Sequence, residues 1–226
     1  MITVGVDAAD VERRLGEGSL RGPWCPGRLR GWGHARDRVV RGLAAGVRVR
    51  PRRARCGGCG RTQVLLPVTC WSRRADTVEV IGAAFTARAG GAGHRRIAAV
   101  LGRAVTTVRG WLRRLGGRLE QARSFLTAVI VGVAIEPVFP EATGSAWGDL
   151  LAALECLVAA ILQRFGPSRP GGRGPGLVDG LVDGLVVGTV TVWQVACAVT
   201  DGGLLGPGWG PWSAGEAVRG CNTNWL

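Results

Sequence analysis

The 226-residue sequence contains no lysine and no tyrosine, only one methionine and only two histidines, so all 29 of its basic residues are arginine. With 38 glycines and abundant alanine and valine, that absence is what GC-rich coding DNA produces, and the number of arginines alone says little about function. The missing lysine also removes a phosphate loop: Gly90-Gly91-Ala92-Gly93 has neither the lysine nor the preceding strand such a loop needs. No nucleophile elbow is present, and the lone His34 and His94 read as surface or capping residues. A secretory signal is missing too, because MITVGVDAADVERRL places acids early with no basic segment ahead of an apolar run; this predicts a cytoplasmic protein. Nearly uncharged runs of about 20 residues, as a membrane span requires, are lacking. Residues 125–135 are too few, and 146–165 carry Asp149, Glu155 and Gln163, so both read as buried elements and no membrane partner is expected.

What is present is an uneven distribution of charge. Twenty-five arginines and eight acids fall in residues 1–123, a balance of +17, whereas residues 124–226 hold four arginines and eight acids, a balance of −4. Codon bias would spread arginine evenly, so the asymmetry predicts that the first half meets a polyanion and the second does not. Double-stranded DNA is the leading partner. An apolar content of 46% is enough for a real core.

The pattern along the chain predicts a mainly α protein with a small β zinc-ribbon. Residues 1–20 read as an adaptor, a strand over Ile2–Val6 and a helix capped by Asp7 or Asp10. Residues 21–70 read as a ribbon of short strands, among them the period-two stretch Val47-Arg48-Val49-Arg50 and Val64-Leu65-Leu66. Residues 71–120 turn helical, with helices expected at about 76–88, 94–101 and 105–119, and 121–165 read as a helical module. A Gly/Pro linker with a slippage-like repeat covers 166–188, and a C-terminal tail covers 189–226, irregular from Asp201 to Leu226.

Seven cysteines in a cytosolic chain point to metal or reduced thiols rather than disulfides. Cys56-Gly57-Gly58-Cys59 is a knuckle that places two thiolates on one turn within reach of a tetrahedral zinc. Cys25 is the third candidate ligand. In Gly22-Pro23-Trp24-Cys25 a second knuckle is spaced correctly, but glycine stands at the position of its first cysteine. Three outcomes follow: His34 or Cys70 supplies the fourth ligand, water closes a three-cysteine site, or the site is metal-free. Cys156 and Cys197 read as core thiols, and Trp32, Trp71 and Trp111 as core anchors.

The stretch from His94 to Leu115 has a helix-turn-helix layout. Ile97, Ala98 and Leu101 form one apolar stripe, Gly102 the tight turn, and Val108, Trp111 and Leu112 the facing stripe. The second helix then exposes Val105, Thr106, Arg109 and Arg113. Arg109 is best placed to read a guanine edge, and Thr106 to make a short contact, while Arg95, Arg96, Arg103 and Arg114 neutralise phosphates. Ala104, at the cap of that helix, offers no side-chain oxygen.

Gly31-Trp-Gly-His-Ala-Arg36, Arg50-Pro-Arg-Arg-Ala-Arg-Cys-Gly-Gly-Cys-Gly60, Leu65-Leu-Pro67, and Gly90 to Ala98 through Trp111-Leu112 carry a resemblance. Residues 20–115 resemble bacterial proteins with an N-terminal zinc ribbon and a helix-turn-helix, similar to the N-terminal regions of insertion-sequence transposases. The resemblance implies DNA binding and a zinc ribbon. The expected function is sequence-specific DNA binding, in transcription regulation or a mobile element, with the C-terminal half forming a homodimer. The alternatives are a DNA-cleaving transposase or resolvase subunit, and a nonfunctional remnant. Cleavage would need gathered carboxylates, yet Asp149 and Glu155 are six apart on one helix, Asp179 and Asp183 belong to the repeat, and Asp201 stands alone. No enzyme is expected.

Overall fold

A computed structural model of the chain describes residues 1–22, 25–165, 188, 190–206 and 209. The repeat at 176–186 and the residues after Trp209 lie outside them. The chain begins with β1 (Ile2–Gly5), buried along its whole length, and α1 (Ala8–Gly16). Asp7 caps α1 by accepting from the Asp10 amide at 2.8 Å, so the first of the two candidate caps is the one used. Six further strands follow the helix: β2 (Arg21–Gly22), β3 (Cys25–His34), β6 (Arg52–Cys56) and β7 (Thr62–Pro67) join β1 in one sheet, and β4 (Arg38–Arg41) forms a separate two-stranded hairpin with β5 (Gly46–Val49).

The sheet runs β1-β7-β6-β3-β2. It is antiparallel except at β1, which lies parallel to β7 with Ile2 opposite Leu65. The protein is therefore mixed α/β, with more sheet than a small ribbon supplies. The difference comes from β1: read as an adaptor, it adds an edge strand, and α1 then covers the sheet's inner face. Val11 and Leu15 of α1 pack with Leu20, Leu29, Ala54 and Leu65. Alternation sends Arg28 and Arg30 of β3, and Arg53 and Arg55 of β6, to the opposite, exposed face.

Six helices build the second and larger cluster of buried side chains. They are α2 (Val78–Ala89), α3 (His94–Leu101), α4 (Val105–Gly116), α5 (Leu119–Val133), α6 (Ala146–Phe165) and α7 (Val192–Val199). α2 is nearly all apolar and central. Ile97 and Ala98 of α3, and Val108, Trp111 and Leu112 of α4, are buried in the same cluster. Gly102 closes α3 with φ 60° and ψ 40°, a left-handed conformation that glycine adopts without steric cost, and so turns the chain into α4. α5 and α6 pack on each other, and Arg164 ties their ends by donating to the Val133 carbonyl at 2.9 Å. Among the described helices, α6 is long and apolar enough in composition to cross a membrane, at a mean hydropathy of 1.5. Its Leu150, Ala153, Leu154, Leu157 and Ile161 are nonetheless buried within this cluster.

α7 falls in the segment expected to be a tail. Its signal was readable: Thr191 and Gln194 have the spacing of a capping box, and both reciprocal hydrogen bonds are formed. The helix lies against α2, where Trp193 packs over Gly82 and donates to Thr86 Oγ1 at 2.9 Å.

Candidate functional site

The cysteine site sits where β2, β3 and the turn after β6 meet. The sulfurs of Cys25, Cys56 and Cys59 all lie within 4.8 Å of one another. Two glycines make that approach possible. A Cβ on Gly27 would stand 2.7 Å from Cys56 Sγ, and one on Gly58 would stand 2.9 Å from Cys25 Sγ. The Gly27 amide donates to Cys25 Sγ at 3.4 Å. The amides of Cys59 and Gly58 face Cys56 and hold its thiol down to about 7. Cys25 is pushed up: the Gly27 amide, its strongest influence, favours the thiolate, but hydrogen bonding to Cys56 and loss of solvent together outweigh it. Three sulfurs converging under inward-facing amides fit a thiophilic metal ion, since a tetrahedral site with zinc–sulfur bonds near 2.3 Å needs sulfurs about 3.8 Å apart.

Neither candidate for a fourth protein ligand reaches this group. His34 is five residues along β3 from Leu29, the residue opposite Cys56, about 15 Å away at strand rise, and it faces Glu12 at 3.6 Å. Cys70 is buried with Val40 and Val49 behind the β4–β5 hairpin. Gly22 is nearer: a Cβ there would lie 3.9 Å from Cys56 Sγ. Gly22 pairs with Cys25 across the β2–β3 hairpin, as the missing half of a knuckle would.

The second candidate region is the surface of α3 and α4. Arg95 and Arg96 are exposed on α3, and Val105, Thr106, Arg109, Arg113 and Arg114 on α4. None of those five arginines has a hydrogen-bond or ion-pair partner among the described residues. Ala104 caps α4 without a side-chain hydrogen bond. Arg103 behaves differently. Its side chain is 14% exposed, its Nε contacts the buried Asp76 at 2.7 Å and its Nη2 donates to the Gly42 carbonyl at 2.7 Å. Arg103 therefore holds the turn before α4 in place, and its guanidinium is already engaged.

Tryptophan positions divide. Trp71 and Trp111 are core residues at 0% and 4% exposure, but Trp32 is 55% exposed on the outer face of the sheet, with the Arg55 guanidinium 5.0 Å from its ring centre. Strand alternation at Arg28, Arg30 and Trp32 could have placed it there.

The acids considered for cleavage are not gathered. Asp149 accepts from the Thr143 amide at 2.7 Å and hydroxyl at 2.8 Å, which holds its carboxyl below the usual range and anchors the start of α6. Asp201 follows α7, with Oδ1 closed off from solvent and unpartnered, and burial pushes its carboxyl up to about 7. Asp179 and Asp183 lie outside the described residues. Comparison with protein-family models, curated proteins and solved structures finds no match to this chain.

Proposed function

We propose that the protein is a cytoplasmic, sequence-specific binder of double-stranded DNA, similar to the DNA-binding regions of insertion-sequence transposases and acting in transcription regulation or a mobile element. The observation that carries this reading is the exposed face of α4. Among the described residues, five arginines on α3 and α4 have no acidic partner, in a chain whose first 123 residues carry +17, which supports their charge being available to a polyanion. In a helix-turn-helix arrangement α4 enters the major groove N-terminus first. Arg109 then meets a guanine edge, Val105 and Thr106 make methyl and short polar contacts, and Arg95, Arg96, Arg113 and Arg114 lie towards the phosphates. Arg28, Arg30, Arg53 and Arg55 on the outer face of the sheet add a second phosphate-facing surface.

Cys25, Cys56 and Cys59 would hold zinc, with water as the fourth ligand. Zinc there would cross-link the β2–β3 hairpin to the turn after β6 and stiffen the ribbon. Val131, Ile135, Val138 and Phe139, exposed at and beyond the end of α5, offer the apolar surface for a homodimer. Selection of bound duplexes from a random pool tests the reading. A shared motif is expected, relaxed at one position by Arg109→Ala and weakened without a change of preference by Arg114→Ala. Motif-free binding by the unaltered protein contradicts it, and metal analysis of the purified protein tests the zinc assignment separately.

A further inference from the structure

The β4–β5 hairpin has no role in the sheet, yet it is fastened to the helix pair. Asp76, 2% exposed, receives Arg41 of β4 on one carboxylate oxygen and Arg103 on the other, each at 2.7 Å. Backbone bonds reinforce the junction: the Arg41 amide donates to the Ala75 carbonyl at 2.8 Å, and the Thr77 amide donates to the Arg41 carbonyl at 3.0 Å. Arg103 also reaches the Gly42 carbonyl at the hairpin tip, and it immediately precedes Ala104, the cap of α4. The tip of the hairpin is thereby held beside the N-terminal end of α4.

The hairpin's composition suits one kind of neighbour. Residues 36–50 carry five arginines and one acid, Asp37, which pairs with Arg50. On the inner face Val40 and Val49 are buried. The outer face presents Arg48 opposite Val39, both exposed, and Leu43 projects at the tip with 63% of its surface exposed. A basic ribbon with an apolar tip, at the end of a helix that reads a major groove, meets the adjacent backbone and minor groove of the same duplex. Minor-groove binders use this pairing of arginine and apolar side chains.

Building on the reading of α4 given above, we propose that the β4–β5 hairpin is a second contact to duplex DNA. It lies along the minor groove flanking the major-groove site, with Arg48 on phosphate and Leu43 on the groove wall. The Arg41–Asp76–Arg103 clasp fixes its distance from α4, so the two elements engage the duplex in one register.

Hydroxyl-radical footprinting and salt-dependent titration of the full chain on the duplex it selects test the proposal, using Leu43→Ser with Arg48→Ala, Arg48→Lys, and Arg109→Ala. Both hairpin side chains are exposed, so these changes leave the fold alone. The unaltered protein is expected to protect a minor-groove tract flanking the selected motif. The double variant should lose that tract, bind about tenfold more weakly, and show a salt slope shallower by about one, while the motif itself is unchanged. Arg48→Lys should keep the slope. Unaltered protection and affinity in the double variant, alongside a relaxed motif in Arg109→Ala, overturn the hairpin contact and leave the α4 reading standing. If Arg109→Ala keeps the wild-type motif, or no duplex is bound, the α4 reading fails and the hairpin proposal fails with it.

Discussion

Single residues decide how this chain departs from the patterns around it. Gly22 stands beside the cysteine group with room for a Cβ, which would meet the Cys25 carbonyl at 3.4 Å and Cys56 Sγ at 3.9 Å. Gly22→Cys should therefore complete a four-thiolate site and tighten zinc binding by at least tenfold in competition with a chromophoric chelator. An unchanged affinity would show that Gly22 does not face the metal. Asp201 gives a pH prediction. Burial raises its carboxyl to about 7 in the folded chain, against an ordinary value near 4, so the folded state holds the proton more tightly. Stability is then fullest at low pH and declines as pH rises through about 7, by on the order of a few kcal/mol. Asp201→Asn stays neutral, and asparagine tolerates the left-handed φ of 53° found there. Its melting temperature should lack the decline expected of the parent between about pH 4 and 7, and parallel profiles would refute the assignment.

At the scale of elements, what was legible followed periodicity and what was missed depended on distant partners. The apolar stripes of 94–101 and 105–116 and the turn at Gly102 are local signals, and these helices form where the sequence places them. The parallel pairing of β1 with β7 joins residues more than 60 positions apart, and nothing in either strand announces it. α7 carries mixed local signals: Val192, Val195 and Val199 argue against a helix, whereas the Thr191 and Gln194 box and the apolar setting of Cys197 argue for one. The triad of cysteines was legible from spacing, whereas the engagement of Arg103 by Asp76, 27 positions away, was not. Two variants test the elements. Ala104→Ser supplies the missing cap oxygen at a residue already in the required conformation, φ −58° and ψ 136°, and should stabilise the chain by about 1 kcal/mol in thermal unfolding. No gain would mean that the α4 amides are satisfied otherwise. Gly82→Ala puts a methyl 2.4 Å from the Trp193 ring. Alanine brings about 1 kcal/mol of helix propensity, so a net loss of about 1–2 kcal/mol in denaturant unfolding would report the overpacking of α7 on α2. A net gain would show that α7 yields.

Across the whole molecule, charge and packing divide the same chain differently. The +17 of the first 123 residues covers the sheet, the hairpin and α3–α4, whereas the larger buried cluster runs from Val68 to Trp209 and carries α3 and α4 on the same core as the acidic C-terminal helices. The C-terminal half is thus a foundation for the basic surface as well as a candidate dimer face. The proposed function then requires that α4, carried on this core, read sequence rather than attract any polyanion. Equilibrium titration of the selected duplex and a scrambled duplex of equal length, at physiological salt, measures this most directly. The account predicts a preference on the order of 10³ for the selected site, falling at least tenfold in Arg109→Ala through loss of a bidentate base contact. Equal affinity for the two duplexes, disappearing together as salt is raised, would contradict it and reduce the protein to a nonspecific polyanion binder.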